Sequence, residues 1–422
     1  MLDIRFIREH PDLVRAGARK KRMEMDLDGL LRLDERRRKL TQKGDALRAQ
    51  SNRASKQIAQ LKGEEKQRAI AEMREVAAAI KALEGEQREV EERYSDLMLR
   101  VPNIPAEDVP EGETEADNVE IRRWGEIPRF DFEPKDHVQL GESLDLIDIP
   151  RGVKLAGTRF YFLKNEAVLL EWAVCRFALD HLIAKGFVPM VAPQLVKDLA
   201  MIGTAWYPMG ADQAYRIERD ELNLIGTAEV PVTAYHYDEI LGEDELPRHY
   251  AGISTCFRRE AGTYGKDTRG LYRIHQFQKV EQVVICRNDE ATSMQEHEAI
   301  LRNAEEIVQA LKLPYRVVNV CGGDLGQGQV KKYDIETWMP GRNSYGETHS
   351  CSRFHDFQAR RLKLRYRDKH GNLHFAHTLN NTAIASPRIL IPILENYQQA
   401  DGSVIVPEVL RPYMGGMERI SP

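Results

Sequence analysis

Cysteine is scarce in this chain of 422 residues: there are five, Cys175, Cys256, Cys286, Cys321 and Cys351. Their number is odd, they are scattered, and no two form a C-x-x-C pair. That argues against a disulfide framework or a cysteine-rich zinc site, and for a reducing compartment. Long apolar runs are missing too, and no stretch approaches the length of a membrane span. The opening residues, MLDIRFIREHPDLVRAGARKKR, are broken by charge throughout and hold no secretory apolar segment. The expectation is a soluble cytoplasmic protein with no membrane partner. Neither a G-x-x-x-x-G-K-[ST] phosphate loop nor a G-x-G-x-x-G after a strand occurs. A nucleotide, if one binds, must therefore lie on a sheet and be held by arginines. The formal net charge is −5, which taken over the whole chain does not suggest a nucleic-acid partner. Locally the charge is distributed otherwise.

Apolar residues make up 42%, enough for a sizeable core, and the length suits two or three domains. Proline is absent between Pro11 and Pro102. Within that gap Leu33, Leu40, Leu47, Ala54 and Leu61 recur every seven residues. A second series follows: Met73, Val76, Ile80, Leu83, Val90, Tyr94, Leu97 and Val101, interrupted by the polar Gln87. Seven-residue periodicity gives each helix a narrow apolar seam. Two such helices joined by a short turn containing Gly63 make an antiparallel hairpin, each arm spanning roughly 50 Å at about 1.5 Å per residue. Its other faces are polar, so it is expected to project from the body. Residues 30–62 hold ten Lys/Arg and three Asp/Glu, a surplus of +7; residues 63–100 hold seven and ten, a balance of −3. The surplus suits a phosphate backbone, and equally a solvated coiled-coil face with a protein partner.

VPNIPAEDVPEGETEADNVEIRRWGEIP then supplies four prolines and an acidic cluster, expected to end the helix as a crossing strap. The domain boundary is expected near residues 105–125. Beyond, residues 165–185 read as a long buried helix. GFVPMVAPQLV reads as an apolar strand in which Pro189 and Pro193 point to an edge or an interface. In LNLIGTAEVPVTAYH, strand alternation would put Thr227 and Glu229 on one face, with Ala228 and Val230 behind. In TCFRRE the same rule puts Arg258 and Glu260 together. In FQKVEQVVIC it puts Phe277, Lys279 and Glu281 on one face and Val280 and Val284 on the other. Between them lies AGTYGKDTRGLYR, a long loop bearing Lys266, Arg269 and Arg273. Arginine holds carboxylate or phosphate by a fork, an aromatic ring stacks on a base, and a carboxylate accepts from an amine. These are parts for holding a nucleotide beside an amino acid, and also the parts of a hairpin with surface ion pairs. GRNSYGETHSCS adds Glu347 and Ser350, oxygen donors of the kind magnesium takes beside phosphates. In NNTAIASPRILIPILEN, Thr382 lies on a strand or turn, Pro387 near a helix start and Arg388 in the first turn.

Together these residues resemble the bacterial seryl-tRNA synthetases, class II aminoacyl-tRNA synthetases, over essentially the whole chain from LDIRFIREHPDLVR to VPEVLRPYM. The helix and proline-containing strand up to Pro193 resemble the first class II motif, which forms the homodimer interface in the family. FRRE with its loop and strand resembles the second motif, and NNTAIASPRILIPILEN the third. GTAEVP, DTRGLYRIHQFQKVE and ENYQQADG are specific to the serine enzymes. The resemblance implies an α+β fold: a helical arm domain over 1–105 and a catalytic antiparallel sheet flanked by helices over 106–422. It implies attachment of L-serine to tRNA(Ser) through a seryl-adenylate, with tRNA(Sec) as a further substrate, ATP and Mg2+ as requirements, and a homodimer. Thr227, Ala228 and Glu229 would contact serine, with Glu229 at its ammonium. Arg258 would hold the serine carboxylate and the α-phosphate. Arg259 and Glu260 would contact ATP, with Glu260 at the adenine amino group, and Phe277 would stack on the ring. Glu281 and Thr382 would receive the serine hydroxyl. Glu347 and Ser350 would hold magnesium and phosphates, and Arg388 the γ-phosphate. One departure stands in the metal segment: Thr348 and His349 replace the family's small apolar residue and serine. They are expected among the nucleotide contacts, with His349 able to titrate. The stretch GDLGQGQVKKYD, richer in Gly and Gln than the pattern requires, has no functional account. An enzyme loading a carrier protein and a non-catalytic RNA-binding paralogue are the rival readings. The basic hairpin speaks against the first and the retained site residues against the second.

Overall fold

A computed structural model describes residues 1–262 and 269–422 and divides the chain into two compact units. One comprises Asp3–Arg19 and Met23–Pro102. Two short helices, α1 (Ile4–Glu9) and α2 (Pro11–Lys20), precede α3 (Leu27–Ile58) and α4 (Gly63–Arg100), the long antiparallel pair. Asp3 and Asp26 cap α1 and α3 by accepting backbone N–H groups at their starts. Gly63 takes a φ of +64°, which lets the chain turn between the long helices. Leu40, Leu83 and Val90 are buried in the seam with Leu33 and Leu47 against them. Farther out Ala54, Leu61, Met73, Val76 and Ile80 are half-buried between exposed neighbours. Gln87, the polar interruption, donates from Nε2 to the carbonyl of Leu40 at 3.1 Å. It fits because Gly44 faces it: a Cβ there would stand 3.2 Å from that nitrogen. Arg36–Glu86 and Arg37–Glu91 pair across the helices, and Arg37 lies 4.6 Å over the Tyr94 ring. Lys43, Arg53 and Lys56 have no carboxylate within 4 Å among the described residues.

The other unit is discontinuous: Met1–Leu2, Lys20–Arg22 and Asn103–Pro422. Its centre is an eight-stranded sheet of β1 (Val119–Trp124), β2 (Val188–Val191), β3 (Arg248–Phe257), β4 (Gln276–Cys286), β5 (Tyr315–Asn319), β6 (Lys331–Met339), β7 (Ser344–His355) and β8 (His377–Ser386). Their spatial order is β1-β5-β6-β7-β8-β4-β3-β2. All neighbours are antiparallel except β2 and β3. The expected strap is thus only partly a strap, since Val119–Trp124 forms an edge strand against Tyr315–Asn319. Strand β2 is the opposite edge, where Pro189 removes no needed ladder donor. The remaining helices named here are α5 (His137–Ser143), α6 (Glu166–Ala184), α7 (Glu229–Thr233), α8 (Glu290–Ala310), α9 (Phe357–Leu362) and α10 (Leu390–Asn396).

The two sheet faces have different covers. Val280 and Val284 enter the main core with residues of α6, α8 and α10. Val283 and Ile285, on the other face, pack with Ala228 and Val232 of the α7 region and Ala359 and Leu362 of α9. That second cover is partial, and the uncovered part is polar. Helix α6 is not buried all round: Leu169 and Trp172 are exposed, as are Val188 and Val191 on the adjoining β2.

The Gly/Gln stretch is a receptor for the buried Lys21. The ammonium donates to the carbonyls of Gly326, Gln327 and Gln329 at 3.0, 2.9 and 2.5 Å, and burial pulls its pKa well below the ordinary lysine value. Asn103 holds the same loop, donating from Nδ2 to the Gly328 carbonyl at 3.0 Å.

Candidate active site

Strand β4 carries the pattern read from its sequence. Phe277, Lys279 and Glu281 share the partly covered face; Glu281 is 2% exposed and ion-paired with the Lys279 ammonium. Two bulges assemble the rest of the floor. On β8 the extra residue is Ala383, so that Thr382 falls opposite Glu281. On β7 the extra residue is Thr348: His349 opposes Ile335, Glu347 opposes Glu336 and Ser350 opposes Asp334. Glu336 and Asp334 are two apart, so Glu347 and Ser350 come to one face although they are three apart. Without the bulge they would point to opposite faces.

The same bulge turns Thr348 and His349 into the core side. The Thr348 and Thr337 hydroxyls meet at 2.7 Å. His349 Nε2 donates to the Ala383 carbonyl at 3.1 Å, and Nδ1 lies 2.9 Å from Thr348 Oγ1. Burial pushes the His349 imidazole down to about 4, so it stays neutral near neutral pH.

Thr227 and Glu229 do not lie on a strand. The strand Leu222–Leu224 ends before them, and Glu229 is the first residue of α7. The turn nonetheless brings both to the floor. Thr227 Oγ1 accepts from the Glu229 amide at 3.1 Å, and Ala228 is fully buried. Glu229 Oε1 accepts from Gln358 Nε2 at 2.8 Å. Burial, then the nearby Glu281, pushes the Glu229 carboxyl up to about 7, against the opposing pull of Gln358, Lys279 and Arg258.

Arg258, Arg259 and Glu260 lie just past the end of β3, and Glu260 has a φ of +51°, so alternation does not place them. Arg258 is placed by contacts instead. Its amide donates to the His275 carbonyl at 3.0 Å and its Nε to the Gly226 carbonyl at 3.2 Å. Its guanidinium lies 5.3 Å from the Phe277 ring centre and 5.9 Å from that of Trp206. Gly226 permits this packing, since a Cβ there would stand 2.3 Å from the Trp206 ring. The Arg259 amide donates to the Gln213 carbonyl at 2.9 Å, and Arg273 lies 3.6 Å from the Glu260 carboxylate. Lys266 lies outside the described residues.

Arg388 is not in a helix; α10 starts two residues later. Its Nε donates to the Tyr272 carbonyl and its Nη1 to the Glu347 carbonyl, each at 3.1 Å, and it stacks 4.4 Å over the Tyr272 ring. Enclosure by protein raises the Glu347 carboxyl, but the cations of Arg388, Lys332, Arg258 and Arg273 outweigh it and hold the group below the ordinary glutamate value. Among the described residues no group of three or more His, Cys, Asp or Glu is set to hold a metal ion. Glu347 and Ser350 fit the partial oxygen shell that magnesium takes when phosphates complete it. The sequence reading missed Gln358, Trp206, Tyr272 and Lys332. Their only signal was proximity to the motifs, in DFQARR, GTAWYP, GLYR and VKKYD.

Such a face can hold an ammonium at Glu229, a hydroxyl at Glu281 and Thr382, an aromatic ring at Phe277 and Arg258, and phosphates between Arg258 and Arg388. Residues 1–105 match the family described as the seryl-tRNA synthetase N-terminal domain, and residues 215–397 the tRNA synthetase class II core domain (G, H, P, S and T). The chain is 50% identical over 418 residues to the serine–tRNA ligase of Deinococcus radiodurans, covering 99% of this chain and 98% of that one. It is 47% identical over 417 residues to that of Rubrobacter xylanophilus, covering 98% of each. Among solved structures it is similar to the seryl-tRNA synthetase of Pyrococcus horikoshii complexed with ATP, with a TM-score of 0.91, 42% identity and 100% coverage of both chains. It is also similar to the cytoplasmic serine–tRNA ligase of Naegleria fowleri in complex with AMP, with a TM-score of 0.87, 34% identity and coverage of 100% and 99%.

Proposed function

The chain belongs to the seryl-tRNA synthetase family and is a serine–tRNA ligase, and we propose that it works through a seryl-adenylate formed on this sheet face. The observation that carries the reading is the meeting of Glu229, Arg258, Phe277, Glu281, Glu347, Thr382 and Arg388 from five separate stretches of chain on one polar floor. In this proposal Glu229 receives the serine ammonium, with Thr227 and Ala228 shaping the pocket. Glu281 and Thr382 receive the hydroxyl. Arg258 holds the serine carboxylate and the α-phosphate. Phe277 stacks on adenine, Glu260 accepts from its amino group, and Arg259 and Arg388 contact the phosphates and ring. Glu347 and Ser350 would hold magnesium, which when bound neutralises phosphate charge.

A serine carboxylate oxygen attacks the α-phosphorus, the bond to the bridging oxygen breaks and pyrophosphate leaves. The terminal ribose hydroxyl of the tRNA then attacks the acyl carbon, and AMP leaves as the ester forms. Neither step asks for a protein nucleophile. Arg258 stabilises the charge that develops on the α-phosphoryl oxygens and Arg388 that on the leaving pyrophosphate, and the floor fixes the in-line approach. The α3–α4 hairpin is the tRNA-binding arm, reading tRNA(Ser) by backbone and shape, and tRNA(Sec) where the host makes it. The exposed apolar residues of α6 and β2 form a homodimer interface, and the enzyme works in the cytoplasm. Serine-dependent ATP–pyrophosphate exchange without tRNA tests the reading, with threonine, alanine and glycine as competitors. Exchange with serine alone is expected. None with serine, in folded protein supplied with magnesium, overturns it.

A further inference from the structure

A buried histidine outside every motif ties the nucleotide face together. His137 opens α5 and is 8% exposed. Its Nε2 lies 3.1 Å from the amide nitrogen of Leu271. A backbone N–H can only donate, so Nε2 is the acceptor and the ring proton sits on Nδ1. Nδ1–H then donates to Glu395 Oε1 at 2.8 Å, and the His137 amide donates to the same oxygen at 2.9 Å. The other oxygen, Oε2, accepts from the Gly341 amide at 2.8 Å. Glu395 is 1% exposed, and its carboxylate gains three donors in place of water.

Each end of this network holds one plate of a stack. Leu271 is fully buried, and the next residue, Tyr272, receives Arg388 on its carbonyl and under its guanidinium. Gly341 precedes Arg342, whose guanidinium lies 4.4 Å from the centre of the same Tyr272 ring. Gly270 has a φ of +82°, and a Cβ on it would stand 2.1 Å from His137 Nε2, so the backbone approaches the ring as closely as glycine alone allows. Arg269 adds an ion pair to Asp136 at 2.8 Å.

We propose that His137 is a positioning residue for ATP: through Leu271 and Glu395 it fixes Tyr272 against Arg342 and Arg388, and so sets Arg388 over the nucleotide. The inference rests on the reading of Arg388 as a nucleotide contact.

Two variants separate the two ring nitrogens. His137→Asn keeps a donor where Nδ1 stands and removes the acceptor; His137→Gln places an oxygen where Nε2 stands. In pyrophosphate exchange His137→Asn is expected to raise the KM for ATP about tenfold with the KM for serine within about twofold, and His137→Gln to return the ATP value to within about threefold of wild type. An unchanged KM for ATP in His137→Asn overturns the inference, as does an equal rise for serine, or a His137→Gln variant as impaired as the asparagine one. Should His137→Asn fail to fold, amide hydrogen exchange of the unsubstituted enzyme decides: slow exchange at Leu271 supports the bond, and exchange at the rate of an exposed amide overturns it. Arg388→Ala separates the two levels of argument. If it leaves the KM for ATP unchanged, the nucleotide reading falls and this inference with it. If it raises that KM while His137→Asn does not, the inference alone falls.

Discussion

Glu229 is a floor carboxylate whose surroundings work against its charge. Burial and then Glu281 push its carboxyl up to about 7, since both disfavour its charge. Only the ionised form can pair with an ammonium, and the ionised fraction grows as pH rises through that value. Serine-dependent exchange is therefore expected to gain in kcat/KM for serine between about pH 6 and 8. Glu229→Gln should flatten that rise and lower kcat/KM for serine about a hundredfold, with the KM for ATP nearly unchanged. His349 should contribute nothing to the profile, since it remains neutral throughout the range. A second outcome concerns selectivity. Glu281 and Thr382 are buried and face each other across the ladder. Alanine leaves them without the hydroxyl partner, whereas Thr382→Val removes one of the groups that would miss it. Exchange by Thr382→Val should show discrimination of serine from alanine reduced by about 1–3 kcal/mol. Undiminished discrimination would remove Thr382 from the serine pocket.

Helices and strands differ in how far their sequences announced them. The hairpin was legible because a heptad seam has no other use in a chain segment without proline, and even Gln87 proved to face a glycine. Strand β4 was legible because plain alternation governs it. The turn at Gly226–Ala228 was not. Val230, Val232 and Thr233 carry strand-like β-branches, yet they sit in a five-residue helix packed under the sheet, and tertiary burial overrode local preference. Bulges at Thr348 and Ala383 leave no mark in composition, so residue type named Glu347 and Ser350 as oxygen donors but could not show that they share a face, or that His349 turns into the core. On the hairpin, Leu83→Ala should cost about 2–3 kcal/mol of local stability, at the low end for a buried leucine because the seam is thin. It should raise the KM for tRNA in aminoacylation and leave exchange untouched. The pair Arg53→Glu and Lys56→Glu should do the same without the loss of stability. A parallel fall in exchange would show that the arm serves something other than tRNA.

Taken as a molecule, the protein combines a net charge of −5 with a first long helix of opposite balance. The two half-reactions proposed for it should therefore respond to salt differently. Aminoacylation is expected to lose efficiency steeply between about 50 and 200 mM salt as released counterions cease to favour the complex, whereas pyrophosphate exchange should change little. Trp172, 62% exposed on α6, offers a test of the proposed homodimer: Trp172→Glu should sediment as a monomer. The discontinuous unit has a consequence for synthesis. Lys21 and the carbonyl of Gln327 that receives it lie 306 positions apart. At about 5–20 residues per second the ammonium is made about 15–60 s before its acceptors emerge from the ribosome. The hairpin, complete by Pro102, is free to form on the nascent chain. The larger unit must wait, its lysine in water, until the C-terminal half has been translated, so its closure is a late event and the interval before it is when chaperones have access.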